Sequence, residues 1–464
     1  MSFVSAAFLV YLPVTVLLYR FLPRPLKRPA LLAASWFFYA CAAPWTLLLL
    51  LAVTLLTWGC ALRLPGSPHP KRWTALALTG CLGTLFVFKY LGFTLDTVSG
   101  WLGVSAPVVR LALPVGISFY TFQALGYVLD VAAGRIAPER SPVTYALFVS
   151  FFPQLVAGPI ERSADLLPQL RALPQANGAD MTAGLLLLLR GYVKKLLLAD
   201  LAAPAVEAVF SAAPGSVDGT AVLLGTALFA LQIYGDFAGY SDIARGCAAL
   251  MGFRLTPNFD RPYAALTLRD FWRRWHITLT RWLTDYIYKP LGGARKGRPR
   301  RLLNILIVFA VSGLWHGAAW TYVAWGLLHG LLMALETLLP LRLNAPRTRP
   351  GRLLRRLVTL TAVGVAWVFF RADSVPAALT LLSRLTVGWN AALTVPASLG
   401  LTWPRAACLL AALAALRGLD GPEDALPSGD RLAVLILLLT AACLCGALAL
   451  AAGGGTQAFI YFQF

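Results

Sequence analysis

The sequence predicts an all-α polytopic membrane protein, on three observations. Apolar residues fill 58% of its 464 positions and charged residues only 13%, about half the charge of an ordinary soluble domain. Apolar runs long enough to cross a bilayer recur along the whole chain. The basic residues between them are clustered, as in the cytoplasmic loops of membrane proteins.

Taken in order, the run from Phe3 to Leu22 has no basic stretch before it and no small-residue cleavage site after it, so it reads as a retained helix rather than a signal peptide. Leu31 to Leu62 fits a helical hairpin around Ala43-Pro44. Trp73 to Leu95 and Val108 to Val131 fit a second hairpin around Gly100 to Pro107. Further runs cover Met181 to Phe210, Val222 to Met251, Leu302 to Leu339, Leu357 to Phe370, Leu399 to Leu416 and Leu432 to Ala452, which makes roughly ten to thirteen spans. Leu302 to Leu339 lies between two basic loops and reads as two helices, with His316 near their distal turn. Ala377 to Val387 fits either an interfacial helix or a span. The segment FVSFFPQLVAGPIER, Phe148 to Arg162, is broken by Pro153, Gly158 and Pro159 before it can cross, which predicts a re-entrant segment covered by protein. The expected organisation is residues 1–131 as N-terminal membrane helices, 132–340 as the core with re-entrant and interfacial parts, 341–458 as C-terminal membrane helices, and 459–464 as a terminal motif.

The net charge of +20 is concentrated in residues 269–301 and 342–356. In a membrane protein such runs set orientation and bind anionic lipid headgroups, so nucleic acid is excluded as the partner. Smaller clusters at Arg20 to Arg28, Arg63 to Arg72 and Arg135 to Arg140 share the cytoplasmic side under one topology, with both termini outside. The seven cysteines lie mostly in apolar runs, and Cys443 with Cys445 has no second pair to complete a metal site. No metal is expected.

Phosphate-binding loops, nucleophile elbows and HExxH helices are missing from the sequence. The chemistry must therefore come from polar residues set in apolar surroundings. His316, between Trp315 and the small residues Gly317-Ala318-Ala319, is the first candidate, because a neutral imidazole can take a proton from a hydroxyl and return it to a leaving group. The small residues would let a substrate approach the backbone. His276 follows Phe271-Trp272-Arg273-Arg274-Trp275 and reads either as a cavity residue or as an interfacial anchor. On one straight helix His329 would stand about 20 Å from His316, which assigns it to packing. Asp236 and Asp242, in YGDFAGYSDIARG, are expected to pair with arginines, and Gly235 and Gly239 to serve helix packing. Glu161 is a further buried carboxylate.

Five motifs in order, PVGISFYTFQALGYVLD (Pro114 to Asp130), FFPQLVAGPIER (Phe151 to Arg162), YGDFAGYSDIA (Tyr234 to Ala244), NFDRPY through PLGG (Asn258 to Gly293) and WHGAAWTYVAWGLLHG (Trp315 to Gly330), resemble the membrane-bound O-acyltransferase family. The resemblance is to its bacterial branch, which serves O-acetylation of alginate, peptidoglycan and other envelope polymers. Ala238 and Arg245 depart from the Ser and the smaller or apolar residue expected there.

The resemblance implies a ring of helices around a thin central cavity, with His316 and His276 as catalytic histidines. Asp236, Asp242, Trp315, Arg273, Arg274 and Glu161 would line or orient the substrate tunnel. It also implies no bound cofactor, a cytoplasmic thioester donor (acetyl-coenzyme A or an acyl carrier protein) and an extracytoplasmic SGNH hydrolase-like acyltransferase as partner, at the bacterial cytoplasmic membrane. The last residues of the sequence, FIYFQF from Phe459 to Phe464, resemble a terminal motif in which the tyrosine, here Tyr461, carries the acyl group transiently. A phenol with a pKa near 10 leaves more readily than a sugar hydroxyl, and an aromatic belt anchoring the last helix is the competing reading. Within the family a D-alanyl transferase for teichoic acids is the alternative function. A transporter or flippase is the alternative outside it.

Overall fold

The computed structural model describes residues 1–105, 109, 111–213, 215–339, 348–389, 398–419, 459 and 460. Among them all regular secondary structure is helical, with no strand. The expected span Leu432 to Ala452, Cys443, Cys445 and Tyr461 lie outside the described residues. The chain divides into two compact units, Met1–Leu188 with Tyr240–Thr256, and Leu189–Gly239 with Pro257–Phe464.

The first unit opens with α1 (Ala6–Phe21), α2 (Arg24–Ala40) and α3 (Thr46–Arg63), with the α2–α3 turn at Ala43-Pro44 as expected. α4 (Pro70–Leu102) runs through one π-helical turn at Phe86–Tyr90 and stops at Gly103, whose φ of 66° is left-handed. α5 (Ile117–Ala132) starts later than the apolar run does, because Pro114 and left-handed Gly116 hold the chain out of helix.

α6 (Pro142–Ser150) is capped by Ser141 and gives way to turns through Gly158. These turns are buried, and protein groups meet several of their polar atoms. The Phe152 amide donates to Ser35 Oγ at 3.1 Å and Gln154 Nε2 donates to the Phe148 carbonyl at 2.9 Å. This is what a non-helical segment inside a membrane protein requires. α7 (Ser163–Ala172) follows.

α8 (Gly178–Tyr192) leads into the second unit, continuing as a π-helical segment, Val193–Ala199, and then α9 (Asp200–Phe210). α10 (Gly219–Ala249) is shared, with residues up to Gly239 in the second unit and Tyr240 onward in the first. Short helices α11 (Leu268–Arg274) and α12 (Ile277–Leu283) precede a tight pair, α13 (Gly297–His316) and α14 (Trp320–Leu338). The pair confirms two helices where one apolar run of sequence lay. Its close approach depends on glycine: a Cβ on Gly326 would sit 2.3 Å from the Phe309 carbonyl oxygen, and one on Gly313 2.3 Å from that of Tyr322. Glu336, near the end of α14, accepts from the Leu268 and Arg269 amides at 3.0 and 3.1 Å and pairs with Arg355. A carboxylate so placed satisfies the N-terminal amides of α11.

α15 (Arg349–Arg371) extends its apolar run backward into the basic segment, while α16 (Val375–Arg384), capped by Ser374, has ten residues, too few to cross. α17 (Trp403–Leu419) ends this part.

Among the described residues four helices are long and apolar enough to cross a bilayer, Thr46–Arg63, Pro70–Leu102, Gly219–Ala249 and Arg349–Arg371, and Ala6–Phe21 and Trp403–Leu416 are shorter apolar helices. α1 turns Leu9, Val10 and Phe21 outward, more than 60% exposed, as lipid contact favours. The protein is a multi-pass, all-α membrane protein.

Gly326→Leu is expected to destabilise the detergent-solubilised protein by about 1–3 kcal/mol through overpacking of α13 against α14. Gly83→Ala, where an added Cβ meets nothing within 4 Å, should leave the thermal midpoint unchanged.

Candidate functional site

The second unit gathers two histidines in an aromatic cage. α13 ends at His316 because the chain turns extended at Gly317 and Ala319 before α14 begins. His316 Nδ1 lies 2.6 Å from the Ser312 carbonyl oxygen. A carbonyl only accepts, so Nδ1 carries the proton and Nε2 carries the lone pair. Around the ring stand Trp325 at 4.8 Å, Trp315 at 5.0 Å and Phe370 at 5.6 Å between ring centroids. Such walls exclude water from a basic nitrogen.

His276 is 6.4 Å from His316, centroid to centroid, and Trp315 touches both. It is fully buried, which rules out the interfacial-anchor reading. Its backbone is left-handed, φ 42° and ψ 54°, a conformation that costs a residue with a side chain about 1–2 kcal/mol. Asn258 holds it there. The Ile277 amide donates to the Asn258 carbonyl at 2.9 Å. Asn258 Oδ1 accepts from the Thr278 amide at 3.2 Å and from Thr278 Oγ1 at 2.7 Å. A buried amide that over-determines a strained histidine is a supporting residue the sequence reading passed over, although Asn258 opens the motif that ends in PLGG.

His329 lies closer to the cage than one straight helix would allow, since the break at Gly317 folds α14 back. His316 and His329 pack against the same Trp325 ring, at 4.8 and 5.2 Å, and His329 also meets Trp272 at 5.0 Å. The small residues after His316 do not leave an open approach either, because the Tyr322 ring fills the space over Gly317, where a Cβ would come within 2.1 Å of it.

Two cavities of this unit share walls with the cage. One, of 370 Å³, is lined by Arg269, Arg273, Arg301, Trp272, Phe309 and Ser312, among others. It therefore reaches the residue whose carbonyl fixes His316. The other, of 290 Å³, is lined by Gln232, Asp236, Tyr322, Phe370, Arg371 and Ile460, among others. It is bounded by the same Phe370 that packs on His316.

The remaining candidates separate. Arg273 lines the larger cavity, whereas Arg274 donates from Nε to Asp270 at 2.8 Å and lies 3.6 Å from the Asp260 carboxylate. Asp236 pairs with a lysine and not, as expected, an arginine: Lys195 Nζ is 2.8 Å from its Oδ1. Gly235 and Gly239 explain the partner, because each brings α10 against the backbone of residues 191–199, where a Cβ would come within 2.8 Å of a carbonyl oxygen. Asp242 and Glu161 belong to the first unit. Asp242 lies 3.8 Å from Arg245, whose Nε also donates to the Leu255 carbonyl at 3.3 Å, which accounts for an arginine at that position. Glu161 accepts from the Thr256 amide at 2.6 Å and its hydroxyl at 3.0 Å.

Residues 137–370 match the family described as MBOAT, membrane-bound O-acyltransferase. The "Probable alginate O-acetylase AlgI" of Azotobacter vinelandii is 37% identical over 391 residues, 82% of this chain and 76% of the relative. The chain belongs to the membrane-bound O-acyltransferase family. The "Peptidoglycan O-acetyltransferase" of Helicobacter pylori is 33% identical over 415 residues, 82% of this chain and 78% of the relative. The "Teichoic acid D-alanyltransferase" of Streptococcus thermophilus is 27% identical over 237 residues, 48% of this chain and 56% of the relative. As a membrane-bound O-acyltransferase this protein is an enzyme that moves acyl groups to hydroxyl acceptors, and the matched span contains both caged histidines.

Asn258→Ala is expected to destabilise the protein by about 1–3 kcal/mol, the cost of leaving the Thr278 donors without their acceptor in a buried site. Thermal unfolding in detergent measures this, and Asn258→Asp, which keeps the acceptor oxygen, should lose less.

Proposed function

We propose that this membrane-bound O-acyltransferase takes an acetyl group from a cytoplasmic thioester donor, acetyl-coenzyme A or an acyl carrier protein, and delivers it across the cytoplasmic membrane of a bacterium for O-acetylation of an envelope or exported polysaccharide. One observation carries the reading. His316 packs against walls of two separate cavities, one rimmed by arginines and one lined by polar groups and the terminal segment. A donor and an acceptor bound in the two cavities would each stand one wall residue, Ser312 or Phe370, from the same imidazole.

The larger cavity suits the donor. Arg269, Arg273 and Arg301 supply charge for the phosphates of coenzyme A or phosphopantetheine, and Trp272, Phe309 and Met333 supply an apolar lining for the thioester arm. In the chemical step the acceptor hydroxyl oxygen attacks the thioester carbonyl, the C–O bond forms and the C–S bond breaks. His316 Nε2 takes the hydroxyl proton and returns it to the departing sulfur. The Ser312 bond keeps Nδ1 protonated through the cycle, and His276 supports the cage by packing on the same Trp315 ring.

The acceptor in this reading is Tyr461, and the aryl ester then passes the acetyl group to an extracytoplasmic SGNH hydrolase-like acyltransferase. Moving the acetyl group, and not the charged donor, through about 30 Å of hydrocarbon avoids the cost of burying phosphates. The printed names of the relatives, an alginate O-acetylase and a peptidoglycan O-acetyltransferase, favour a polysaccharide as final acceptor.

Purified protein incubated with acetyl-coenzyme A is expected to gain one acetyl group on the terminal peptide, read by mass spectrometry. His316→Ala should lower that rate by about 10²–10⁴-fold, and Tyr461→Phe should abolish the adduct. Arg273→Ala should raise the donor KM while leaving kcat within a few-fold, as expected for a contact made equally in ground and transition states. An unmodified terminal peptide in the parent enzyme, with polysaccharide acetylation intact in Tyr461→Phe cells, would refute the carrier step.

A further inference from the structure

The terminal segment is held through its main chain at the site of a buried charge cluster. Lys195 lies on the π-helical segment and its side chain is 1% exposed. Its Nζ donates to Asp236 Oδ1 and to Asp200 Oδ1, each at 2.8 Å, and lies 4.6 Å from the centroid of the Phe459 ring. The second oxygen of Asp236 accepts from the Ile460 amide at 2.7 Å, across 224 residues of sequence. An amide donor aimed at Asp236 is a charge-assisted partner of the kind a buried carboxylate needs. Phe459 and Ile460 are both buried.

An aromatic belt would hold this segment through ring contacts with lipid. Here the specific contact is a backbone N–H on a carboxylate, backed by a ring lying on an ammonium. Ile460 also lines the 290 Å³ cavity, as do Asp236 and Phe370, and the Phe370 ring packs on His316. The residue that follows Ile460 in the chain is Tyr461.

We propose that Lys195, Asp200 and Asp236 form a clamp that docks the terminal segment by the Ile460 amide, positioning the following residue for acyl transfer at the cavity beside His316. The three are positioning residues, acting through the tail and not on the acyl group. The proposal rests on the reading of Tyr461 as carrier for its purpose, but the docking itself can be measured apart from that reading. The clamp selects a backbone donor and an aromatic ring one residue before it, so Ile460→Val is compatible with it and Ile460→Pro, which lacks the amide hydrogen, is not.

Asp236→Ala is the cleanest disruption, since it removes the acceptor of the Ile460 amide while the Lys195–Asp200 bond remains. Hydrogen exchange of the full-length protein, followed on the terminal peptide by mass spectrometry, should show the Ile460 amide exchanging about tenfold or more faster in Asp236→Ala than in the parent, as expected for loss of a charge-assisted bond. Acetylation of that peptide from acetyl-coenzyme A should fall about tenfold or more in Asp236→Ala and Ile460→Pro, with the donor KM unchanged, and should persist in Ile460→Val. Ile460→Pro changes only the tail, so it guards against a folding defect in Asp236→Ala. Unchanged amide exchange in Asp236→Ala, or parental acetylation in Ile460→Pro, would overturn the clamp. Faster exchange in Asp236→Ala, together with a parent tail that is never acetylated, would uphold the docking and refute the carrier reading.

Discussion

The bond from His316 Nδ1 to the Ser312 carbonyl is the constraint on which the chemistry of the second unit turns. It assigns the tautomer, and with it the nitrogen that can act as a base. Both partners stand on the last turn of α13, which ends at His316. Had the helix run on past Gly317, His316 would sit in the middle of a straight rod, and Trp325 and His329 on α14 could not fold back beside it. The close backbone contacts at Gly313 and Gly326 keep the two helices at the separation the cage needs.

A second layer of support surrounds the histidines. Asn258 ties the left-handed His276 to the start of its own motif, and Glu336 secures the first turn of α11 from across α14. Strain at a buried histidine persists only where neighbours over-determine it, and three hydrogen bonds to Asn258 do so here. The arginines divide by the same logic: Arg274 is engaged by Asp270 and Asp260, while Arg273 faces a cavity. Adjacent residues of one sequence motif thus serve different ends.

The π-helical segment at Val193–Ala199 provides the third feature. π turns are costly and tend to occur where a side chain must be re-aimed, and this one delivers Lys195 between Asp200 and Asp236. Gly235 and Gly239 complete the arrangement by letting α10 approach that backbone closely. The family membership and the caged histidines fall within one matched span, whereas the contact to Ile460 joins a residue of that span to the far end of the chain.

Much was legible in the sequence. Hydropathy and charge clustering gave an all-α membrane protein, because the bilayer admits few alternatives to the helix, and Pro153, Gly158 and Pro159 announced the buried turns near Phe151. The histidines at 276 and 316 stood out because polar groups in apolar sequence are rare. Tertiary structure alone decided the partners. A lysine and not an arginine meets Asp236, Asp242 and Glu161 fall in a different compact unit from the histidines, and Tyr322 fills the space expected for substrate over Gly317. Helix ends, π turns and glycine contacts a few ångströms apart set those pairings. Composition and periodicity record which face of a helix is apolar, but not which distant side chain will lie against it.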